Sequence, residues 1–184
     1  MNGLLDEREV RGRRGSDILN AILSVIIVLL VLVIVTLLFF VTPMSVSGQS
    51  MYPTYHDGDK VLLTKVLYTV QAGDVIVFKI PGNDSPPIKR VIGLPGDVVF
   101  FDVNKMDYTV NGKPIDSFGT DTGYSASYFE TSEREVYSAL TTTGITVGEN
   151  EFFVLGDNRN ISKDSHVYGC ISQDWIVGKV ILQY

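Results

Sequence analysis

Few side chains of this protein could carry out nucleophilic chemistry. Ser50 lies in the segment Ser47-Gly-Gln-Ser-Met-Tyr-Pro-Thr54, and Cys170 is the only thiol. A serine needs a base to become a nucleophile, and a histidine can supply it. Only His56 and His166 are available for a Ser-His-Asp triad, and spacing along the chain excludes neither of them, since triads are recognised by geometry. His56 lies in a turn-rich segment, where a solvated loop residue is expected.

Lys89 is the other candidate for the base. Ile88, Val91 and Ile92 around it predict a β-strand, so its amine could point into an apolar environment. Burial disfavours the ammonium and lowers the pKa of a lysine from about 10.4; a downward shift of about 3 units, which costs about 4 kcal/mol, gives a usable base at neutral pH. Considered alone, Lys89 is expected to be a surface lysine of an edge strand.

A third segment, Gly156-Asp-Asn-Arg-Asn-Ile-Ser-Lys-Asp-Ser165, is dense in side chains that bond to the backbone and to one another. By itself it could be an ordinary surface loop. A metal site has little support, because two histidines without a cysteine cluster or a His-Glu-x-x-His helix form no recognisable ligand set. We therefore expect neither a metal nor a cofactor.

Taken together, three segments resemble the bacterial type I signal peptidase family, in its order and spacing. They are Ser47-Gly-x-Ser-Met-x-Pro-Thr54 after an apolar segment, Lys89-Arg-Val-Ile-Gly-x-Pro-Gly-Asp97, and Gly156-Asp-Asn-Arg159 with Ser162, Asp164 and Ser165. The resemblance extends to Lys179 and is weak across residues 102–150. The lysine at position 89 separates the chain from the histidine-using branch of the endoplasmic reticulum and archaea. A single apolar segment and a short middle segment are similar to the compact form common in Gram-positive bacteria.

The resemblance implies roles for individual residues. Ser50 matches the nucleophile and Lys89 the general base, while Ser162 matches a serine whose hydroxyl helps to hold the lysine. Four charged residues match a supporting polar network: Asp157, Arg159, Asp164 and Arg90. A physical argument agrees for Arg90, which points to the strand face opposite Lys89, where Asp157 could neutralise it.

Three positions depart from the better-known pattern of the family. Gly48 stands where some members have a serine that donates to the oxyanion, so the backbone N–H of Ser50 would have to act with a further donor. Ile161 and His166 replace polar or basic residues of the third segment, which leaves the detail of its salt-bridge network open.

The substrate that the resemblance implies is the signal peptide of an exported preprotein, cut after small residues, typically alanine at the first and third positions before the cut. Five residues that flank Ser50 and Lys89 are candidates to pair with an extended substrate by strand addition: Gln49, Met51, Pro86, Pro87 and Ile88. Met51 and Tyr52 could also touch lipid, although as apolar residues they could equally belong to the core.

Ser50 follows a segment that is long and apolar enough to anchor the chain in a lipid bilayer. Residues 21–41 are interrupted only by Ser24 and Thr36, and about 21 helical residues span the roughly 30 Å hydrocarbon core. A cleavable signal has a shorter apolar region of roughly 7 to 15 residues, and the residues that follow offer a poor cleavage site, so we expect an anchor that stays. Four arginines precede it and predict a cytoplasmic N-terminus: Arg8, Arg11, Arg13 and Arg14.

We therefore expect a cytoplasmic segment (1–17), a transmembrane helix (18–42) and an extracytoplasmic catalytic domain (43–184). β-branched and aromatic stretches predict strands at residues 60–63, 75–80, 88–92, 98–103, 108–110, 152–155 and 175–184. The expected fold class is mainly β: the single helix followed by an antiparallel sheet or barrel-like domain of the signal peptidase type.

Residues 102–150 differ in character from the rest of this domain. Asn111-Gly112 between two short apolar stretches predicts a two-residue hairpin turn. From residue 116 onward Ser, Thr, Gly and Tyr are abundant, which indicates an exposed, variable ribbon or loop inserted into the sheet. We expect no soluble helix beyond a turn or two within 126–140.

Charge and cysteine content limit the partners. Of 15 basic and 21 acidic side chains, four of each lie in the first 17 residues, so the remainder has 11 basic and 17 acidic groups and a net charge of about −6. Nucleic acid is excluded as a partner, because phosphate binding needs clustered positive charge. A single cysteine cannot form an intramolecular disulfide. The expected partners are signal peptides of secreted preproteins and the lipid bilayer, and we take the chain to be a monomer.

Two other functions compete with this one. A self-cleaving serine-lysine protease similar to the SOS-response repressors would be soluble and carry a DNA-binding module, whereas this chain begins with an apolar anchor. A non-catalytic, membrane-anchored β module that binds signal peptides or assists pilus assembly would have no need of Ser50, Lys89 and Ser162 together.

Overall fold

The computed structural model describes residues 3–66, 68–115, 124 and 134–184, and of residues 3–15 and 37 the backbone only. It divides the chain into two compact units, Met1–Val41 and Thr42–Tyr184. The first unit is the helix α1 (Gly3–Phe40). The second unit contains the strands and two short helices.

Helix α1 has the length and composition of a membrane span. Its portion Ser16–Phe40 has 25 residues, of which the most apolar stretch of 18 has a mean hydropathy of 3.5. At 1.5 Å per residue this portion extends about 37 Å, more than the roughly 30 Å hydrocarbon core of a bilayer. The Ser24 hydroxyl donates to the Asn20 carbonyl at 2.8 Å and Thr36 to the Leu32 carbonyl at 2.7 Å. Both hydroxyls are thus satisfied within the helix, which makes them tolerable in lipid.

Within the described residues, the strands form two sheets. Seven strands belong to the larger sheet, in the order β1-β2-β11-β3-β4-β9-β10, and four to the smaller one, in the order β7-β6-β5-β8. Their bounds are β1 Val41–Ser45, β2 Lys60–Thr64, β3 Val75–Phe78, β4 Ile88–Gly93, β5 Val98–Asp102, β6 Asp107–Val110, β7 Lys113–Pro114, β8 Ile145–Thr146, β9 Glu151–Leu155, β10 Ile171–Ser172 and β11 Ile176–Gln183.

The larger sheet is antiparallel and curled. Its pairings from β2 through β11, β3, β4 and β9 to β10 are all antiparallel. Val46 and Met51, which follow the edge strand β1, pack into one buried cluster with Ile88 of β4. Strands from opposite parts of the sheet share this cluster, so the sheet must bend around it. The predicted mainly β fold with one N-terminal apolar helix is confirmed.

All seven predicted strands are present, with ends that differ by one or two residues. Four strands were not predicted: β1, β7, β8 and β10. Three of these have only two residues each, which is too short for alternation to be visible in a sequence. The fourth, β1, directly follows the long apolar segment, whose pattern hides its start.

The hairpin between β6 and β7 turns at Asn111-Gly112, as predicted. Both residues have positive φ, 53° and 76°, as a type I′ turn requires. The Asn111 side chain fixes the turn against β5: its Oδ1 accepts from Val98 N at 2.9 Å, and its Nδ2 donates to Asp97 Oδ1 at 2.7 Å.

The expectation of an exposed ribbon with no helix beyond a turn or two within 126–140 was wrong in part. Helix α2 (Arg134–Thr142) has nine residues, and α3 (Ser165–Tyr168) was not predicted. Leu140 and Val147 are fully buried in the core of the smaller sheet. Val136, one turn before Leu140 in α2, packs against the same core, so tertiary packing of these two side chains stabilises a helix that its own propensity does not indicate. Residues 116–123 and 125–133 lie outside the described residues.

The two sheets meet where β4 ends, and this contact generates a prediction about Gly93. A Cβ added at Gly93 would lie 2.7 Å from Val99 Cγ2 and 3.2 Å from Phe153 Cβ. Gly93→Ala should therefore destabilise the protein by about 1–3 kcal/mol through overpacking. Chemical unfolding of the detergent-solubilised protein measures this loss.

Gly148→Ala is the matched control. The atom nearest to its added Cβ is Oε2 of Glu151, at 2.8 Å, which is the end of a flexible side chain that can turn away. Equal losses of stability in the two variants would contradict the overpacking argument.

Candidate active site

Ser50 lies in a tight turn that follows β1. Gly48 has φ of +85° and donates its N–H to Asp57 Oδ1 at 2.8 Å, which closes the segment on itself. The next turn is closed by Tyr55 N, which donates to the Met51 carbonyl at 2.9 Å. Met51 is 1% exposed and anchors the turn in the core. Ser50 itself is half-buried between these anchors.

Lys89 lies in the middle of β4 and reaches this turn. Its Nζ is 2.7 Å from Ser50 Oγ and donates to the Ile88 carbonyl at 2.9 Å. The residue is only 4% exposed. Burial lowers the pKa of Lys89 from its ordinary value, against the opposing fields of the Asp164 and Asp157 carboxylates. A lysine in this setting is poised to be uncharged beside a hydroxyl.

Arg90, the next residue of β4, points to the opposite face and forms a buried ion pair with Asp157. Its Nε donates to Asp157 Oδ1 at 2.8 Å, and its Nη1 donates to the Gly73 carbonyl at 2.8 Å. The other carboxylate oxygen accepts from Thr54 Oγ1 at 2.6 Å. The guanidinium charge is thus paired away from Lys89, and the Ser50 segment is tied to the loop after β9.

That loop, residues 156–165, packs directly against Ser50. Asn158 N donates to the Ser50 carbonyl at 3.0 Å. A Cβ added at Gly156 would lie 2.2 Å from Ser162 Oγ and 2.5 Å from the Ser50 carbonyl oxygen. Only glycine fits at this position, because any Cβ would overlap the Ser50 carbonyl and the Ser162 hydroxyl, which both belong to the site.

Ser162 and Asp164 extend the site behind Lys89. Ser162 Oγ is buried and has no hydrogen bond of ordinary geometry among the described residues. Burial alone would raise the pKa of the fully buried Asp164, but its bonds to His166 and the Gly156 N–H outweigh burial and lower it. The carboxylate accepts from Gly156 N at 2.8 Å and lies 2.7 Å from His166 Nδ1.

Arg159 is 3% exposed and holds the start of the same loop. Its Nε donates to the Gly156 carbonyl at 2.9 Å, and its Nη1 donates to the Tyr124 hydroxyl at 2.7 Å. Arg159 thus connects the loop to the inserted region between β7 and α2.

The candidates for substrate pairing lie beside the Ser50–Lys89 pair. Pairing of β4 with β9 begins only at Arg90, opposite Leu155. On that side, within the described residues, Ile88 and the half-buried Pro86 and Pro87 have no strand neighbour. The Pro87 carbonyl accepts from Phe78 N of β3 at 3.2 Å and the Ile88 carbonyl from Lys89 Nζ, so an added strand would pair with what remains, the Ile88 backbone and the Pro86 carbonyl.

The other two candidates differ in accessibility. Gln49 is exposed and lines a cleft of about 490 Å³ with Asn158. The Met51 and Ile88 side chains are both buried in the core, so Met51 can offer only backbone. Of the two alternatives for Met51, lipid contact or a place in the core, the structure shows the core. The Tyr52 side chain is 44% exposed.

The two histidines differ in their exposure to solvent. The His56 side chain is 62% exposed, whereas His166 is buried on Asp164. In the part of the chain that the structure describes, neither histidine bonds to Ser50, and no group of three or more His, Cys, Asp or Glu side chains could hold a metal ion.

Comparison with known proteins identifies the family. The family model described as signal peptidase, peptidase S26, matches residues 19–184. This chain belongs to that family. Signal peptidase IB of Staphylococcus aureus (strain COL) is 35% identical over 153 residues, which cover 79% of this chain and 78% of that protein. Signal peptidase I S of Bacillus subtilis (strain 168) is 34% identical over 132 residues, 69% of this chain and 67% of that protein.

Among solved structures, a crystal structure of a signal peptidase I from Enterococcus faecalis V583 is 31% identical, covers 64% of this chain and 100% of that chain, and superposes with a TM-score of 0.46. The resemblance to the compact Gram-positive-like form is confirmed by the relatives. Membership of the signal peptidase family indicates a peptidase that processes signal peptides.

Two contacts in this signal peptidase family member were not anticipated from its sequence. Thr54 joins the Arg90–Asp157 pair, and His166 pairs with Asp164. Thr54 belongs to the same segment as Ser50, but nothing in the sequence indicated the partner of its hydroxyl. The spacing of Asp164 and His166, two residues apart before a short helix, is compatible with many capping geometries.

The Arg90–Asp157 pair generates a prediction. Asp157→Leu leaves the buried guanidinium, and Arg90→Met leaves the buried carboxylate, without its counter-charge, so each single variant should lose about 3–5 kcal/mol of stability. The double variant Arg90→Met/Asp157→Leu should lose clearly less than the sum of the two single losses, because it removes both charges together. Chemical unfolding of the four proteins of this cycle is the measurement.

Lys105→Ala serves as the control, since its amine pairs with Asp102 at 3.4 Å while the lysine side chain is 71% exposed. Its stability should match the wild type. Strict additivity in the Arg90–Asp157 cycle would show that the two groups do not depend on each other.

Proposed function

We propose that this protein is a membrane-anchored serine endopeptidase that removes N-terminal signal peptides from exported preproteins. Ser50 is the nucleophile and Lys89 the general base. The observation that carries this proposal is the 2.7 Å separation of Lys89 Nζ from Ser50 Oγ, with the lysine 4% exposed. Family membership supports the substrate class.

The chemistry follows from these two groups. Uncharged Lys89 accepts the hydroxyl proton as Ser50 Oγ attacks the scissile carbonyl. The resulting ammonium then gives that proton to the departing amine, and an acyl-enzyme ester remains on Ser50. Lys89, uncharged again, accepts a proton from water as the water oxygen attacks the ester. The ammonium then returns this proton to Ser50 Oγ as the C–O bond of the ester breaks, and the released carboxylic acid loses its own proton to solvent. No other group of the protein needs to change its charge.

The tetrahedral intermediate needs hydrogen-bond donors for its oxyanion. The backbone N–H of Ser50 is a suitable donor, since among the described contacts it has no acceptor. Gly48 does not supply the second donor, because it lacks a side chain and its N–H is bonded to Asp57. We expect the second donor to come from the exposed Gln49 or from another group that contacts the bound substrate.

An extended preprotein would pair with the backbone of Gln49 and Met51 on one side and of Pro86, Pro87 and Ile88 on the other. Preference for alanine or other small residues at the first and third positions before the cut follows from the family resemblance. The remaining residues of the site support this arrangement: Ser162, Asp157, Arg159, Asp164 and Arg90.

The membrane location belongs to the same proposal. The apolar portion of α1 is long enough to cross a bilayer, and arginines before it favour a cytoplasmic N-terminus. The division into a cytoplasmic segment (1–17), a transmembrane helix (18–42) and an extracytoplasmic domain (43–184) then puts Ser50 where preproteins emerge. We propose that the enzyme acts there as a monomer in a lipid bilayer.

Ser50→Ala and Lys89→Ala test the dyad. Each should reduce cleavage of a preprotein with an Ala-x-Ala site by at least about 10³-fold, because loss of either member removes the whole proton-transfer chain. The assay uses purified, detergent-solubilised protein and gel analysis of a single cut, with circular dichroism to verify folding. His56→Ala is the control and should cleave normally. Full cleavage by Lys89→Ala would point to a different base.

The pH profile tests the charge state of Lys89. Burial lowers the pKa of Lys89 below its ordinary value of 10.5, and only the uncharged amine accepts a proton. The ratio kcat/KM should therefore rise with pH, tenfold per unit below the midpoint, and level off below pH 10.5.

Lys179→Met is the matched control, because Lys179 lies on β11 instead of β4 and its amine pairs with Asp74 at 2.8 Å. It should leave the profile unchanged. A profile flat from pH 5 to 10 would contradict a lysine base.

A further inference from the structure

The open edge of β4 beside Lys89 is short. Strand β3 covers the other edge of β4, with Val77 opposite Ile88. From Arg90 onward, β9 covers the edge that faces the site, since Arg90 lies opposite Leu155. Among the described residues, only the segment before Arg90 is therefore open on this side. A substrate strand can bond to the backbone groups of that segment and to no later ones.

The register between β3 and β4 determines which backbone groups point to the open edge. Phe78 N donates to the Pro87 carbonyl, so the backbone of Pro87 faces β3. Along a strand, the backbone groups of successive residues point to opposite sides. The backbone of Pro86 and that of Ile88 therefore face the open edge. The bond from Lys89 Nζ to the Ile88 carbonyl agrees with this orientation.

Pro86 is the last position of this edge. Proline has no backbone N–H, so position 86 offers a substrate an acceptor and no donor. Before Pro86 the chain is folded in turns: Asn83 N donates to the Ile80 carbonyl at 3.0 Å, and Ser85 N donates to Asn83 Oδ1 at 3.0 Å. The open edge therefore consists of residues 86–88, and within it Ile88 supplies the N–H donor.

An edge of this length pairs with only about four residues of a substrate strand. Selection of small residues at the first and third positions before the cut requires that those residues be held beside Ser50, so they are the ones that pair. Residues further upstream lie beyond the edge. In a signal peptide they lead into the apolar segment. Within lipid that segment is helical, because a helix satisfies its own backbone groups, and its amides are then not free to pair with a strand.

We infer that Pro86 is a specificity-determining residue: it ends the pairing edge, confines backbone recognition to about the four residues before the cut, and thereby allows a helical segment to begin directly upstream. The inference rests on the proposed function and deepens it, because it names the part of the preprotein whose backbone the enzyme binds. An N–H at position 86 would give a further substrate carbonyl a donor and would favour peptides that are extended over a longer stretch.

Pro86→Ala supplies the missing donor. The first experiment uses the full detergent-solubilised chain with Ser50→Ala, so that a signal peptide is bound and not cut. For an Ala-x-Ala peptide with about eight residues before the cut, the added hydrogen bond should lower Kd by about twofold to tenfold. In the active enzyme KM should fall in parallel while kcat stays the same, because position 86 does not contact the reacting atoms. Fluorescence anisotropy of a labelled peptide measures Kd.

Pro87→Ala is the matched comparison. The same substitution loosens the same segment, but its new N–H points towards β3 and not towards the substrate. Its Kd should therefore not fall. An unchanged or higher Kd in Pro86→Ala, or equal falls in the two variants, would overturn the inference. Absence of cleavage by the wild type would instead refute the proposed function.

The second experiment varies only the preprotein and stands even if Pro86→Ala fails to fold. Proline is placed in turn at each of the second to about the eighth positions before the cut, where it removes the N–H that a paired strand needs. Cleavage by the wild type should fall at least about tenfold at one or more of the positions nearest the cut and stay nearly constant from about the fifth position upstream. Losses that continue further upstream would show a longer pairing edge and overturn the inference.

Discussion

The site depends on keeping the amine of Lys89 out of water beside the hydroxyl of Ser50. An ammonium loses its hydration when it is buried, and this loss lowers the pKa of the lysine. The same loss makes every unpaired charge nearby expensive. The two buried carboxylates near Lys89 are therefore both bonded, Asp157 to Arg90, and Asp164 to His166 and the Gly156 N–H. These contacts also fix the loop that lies against Ser50.

Both carboxylates that act on Lys89 come from one loop, residues 156–165, and the sheet determines where this loop begins. Strand β4 pairs with β9 so that Arg90 lies opposite Leu155. The chain therefore leaves β9 beside the lysine, and Asp157 meets Arg90 two residues later. A shift of this register by one residue would turn Lys89 and Arg90 to each other's faces.

The inserted region also stabilises β9, the strand that leads into this loop. Phe153 and Leu155 of β9 are buried in the cluster of the smaller sheet, together with Phe101, Tyr108 and Leu140. Arg159 reaches from the loop to the Tyr124 hydroxyl. The insertion, which resembled a variable ribbon in sequence, thus supplies part of the rigid support for the loop that contacts Ser50.

The sequence alone determined the segments that meet at the site, seven of the strands and the apolar helix, because motif spacing, β-branched runs and a long apolar segment are local properties. It left open whether Lys89 was buried, since one strand with apolar neighbours can lie at an edge or in the centre of a sheet. Only the tertiary structure decided this, by putting β4 between β3 and β9 and by seating Met51 and Ile88 in one core. It alone also paired His166 with Asp164 and added α2, because such contacts arise from packing between segments that no local pattern encodes.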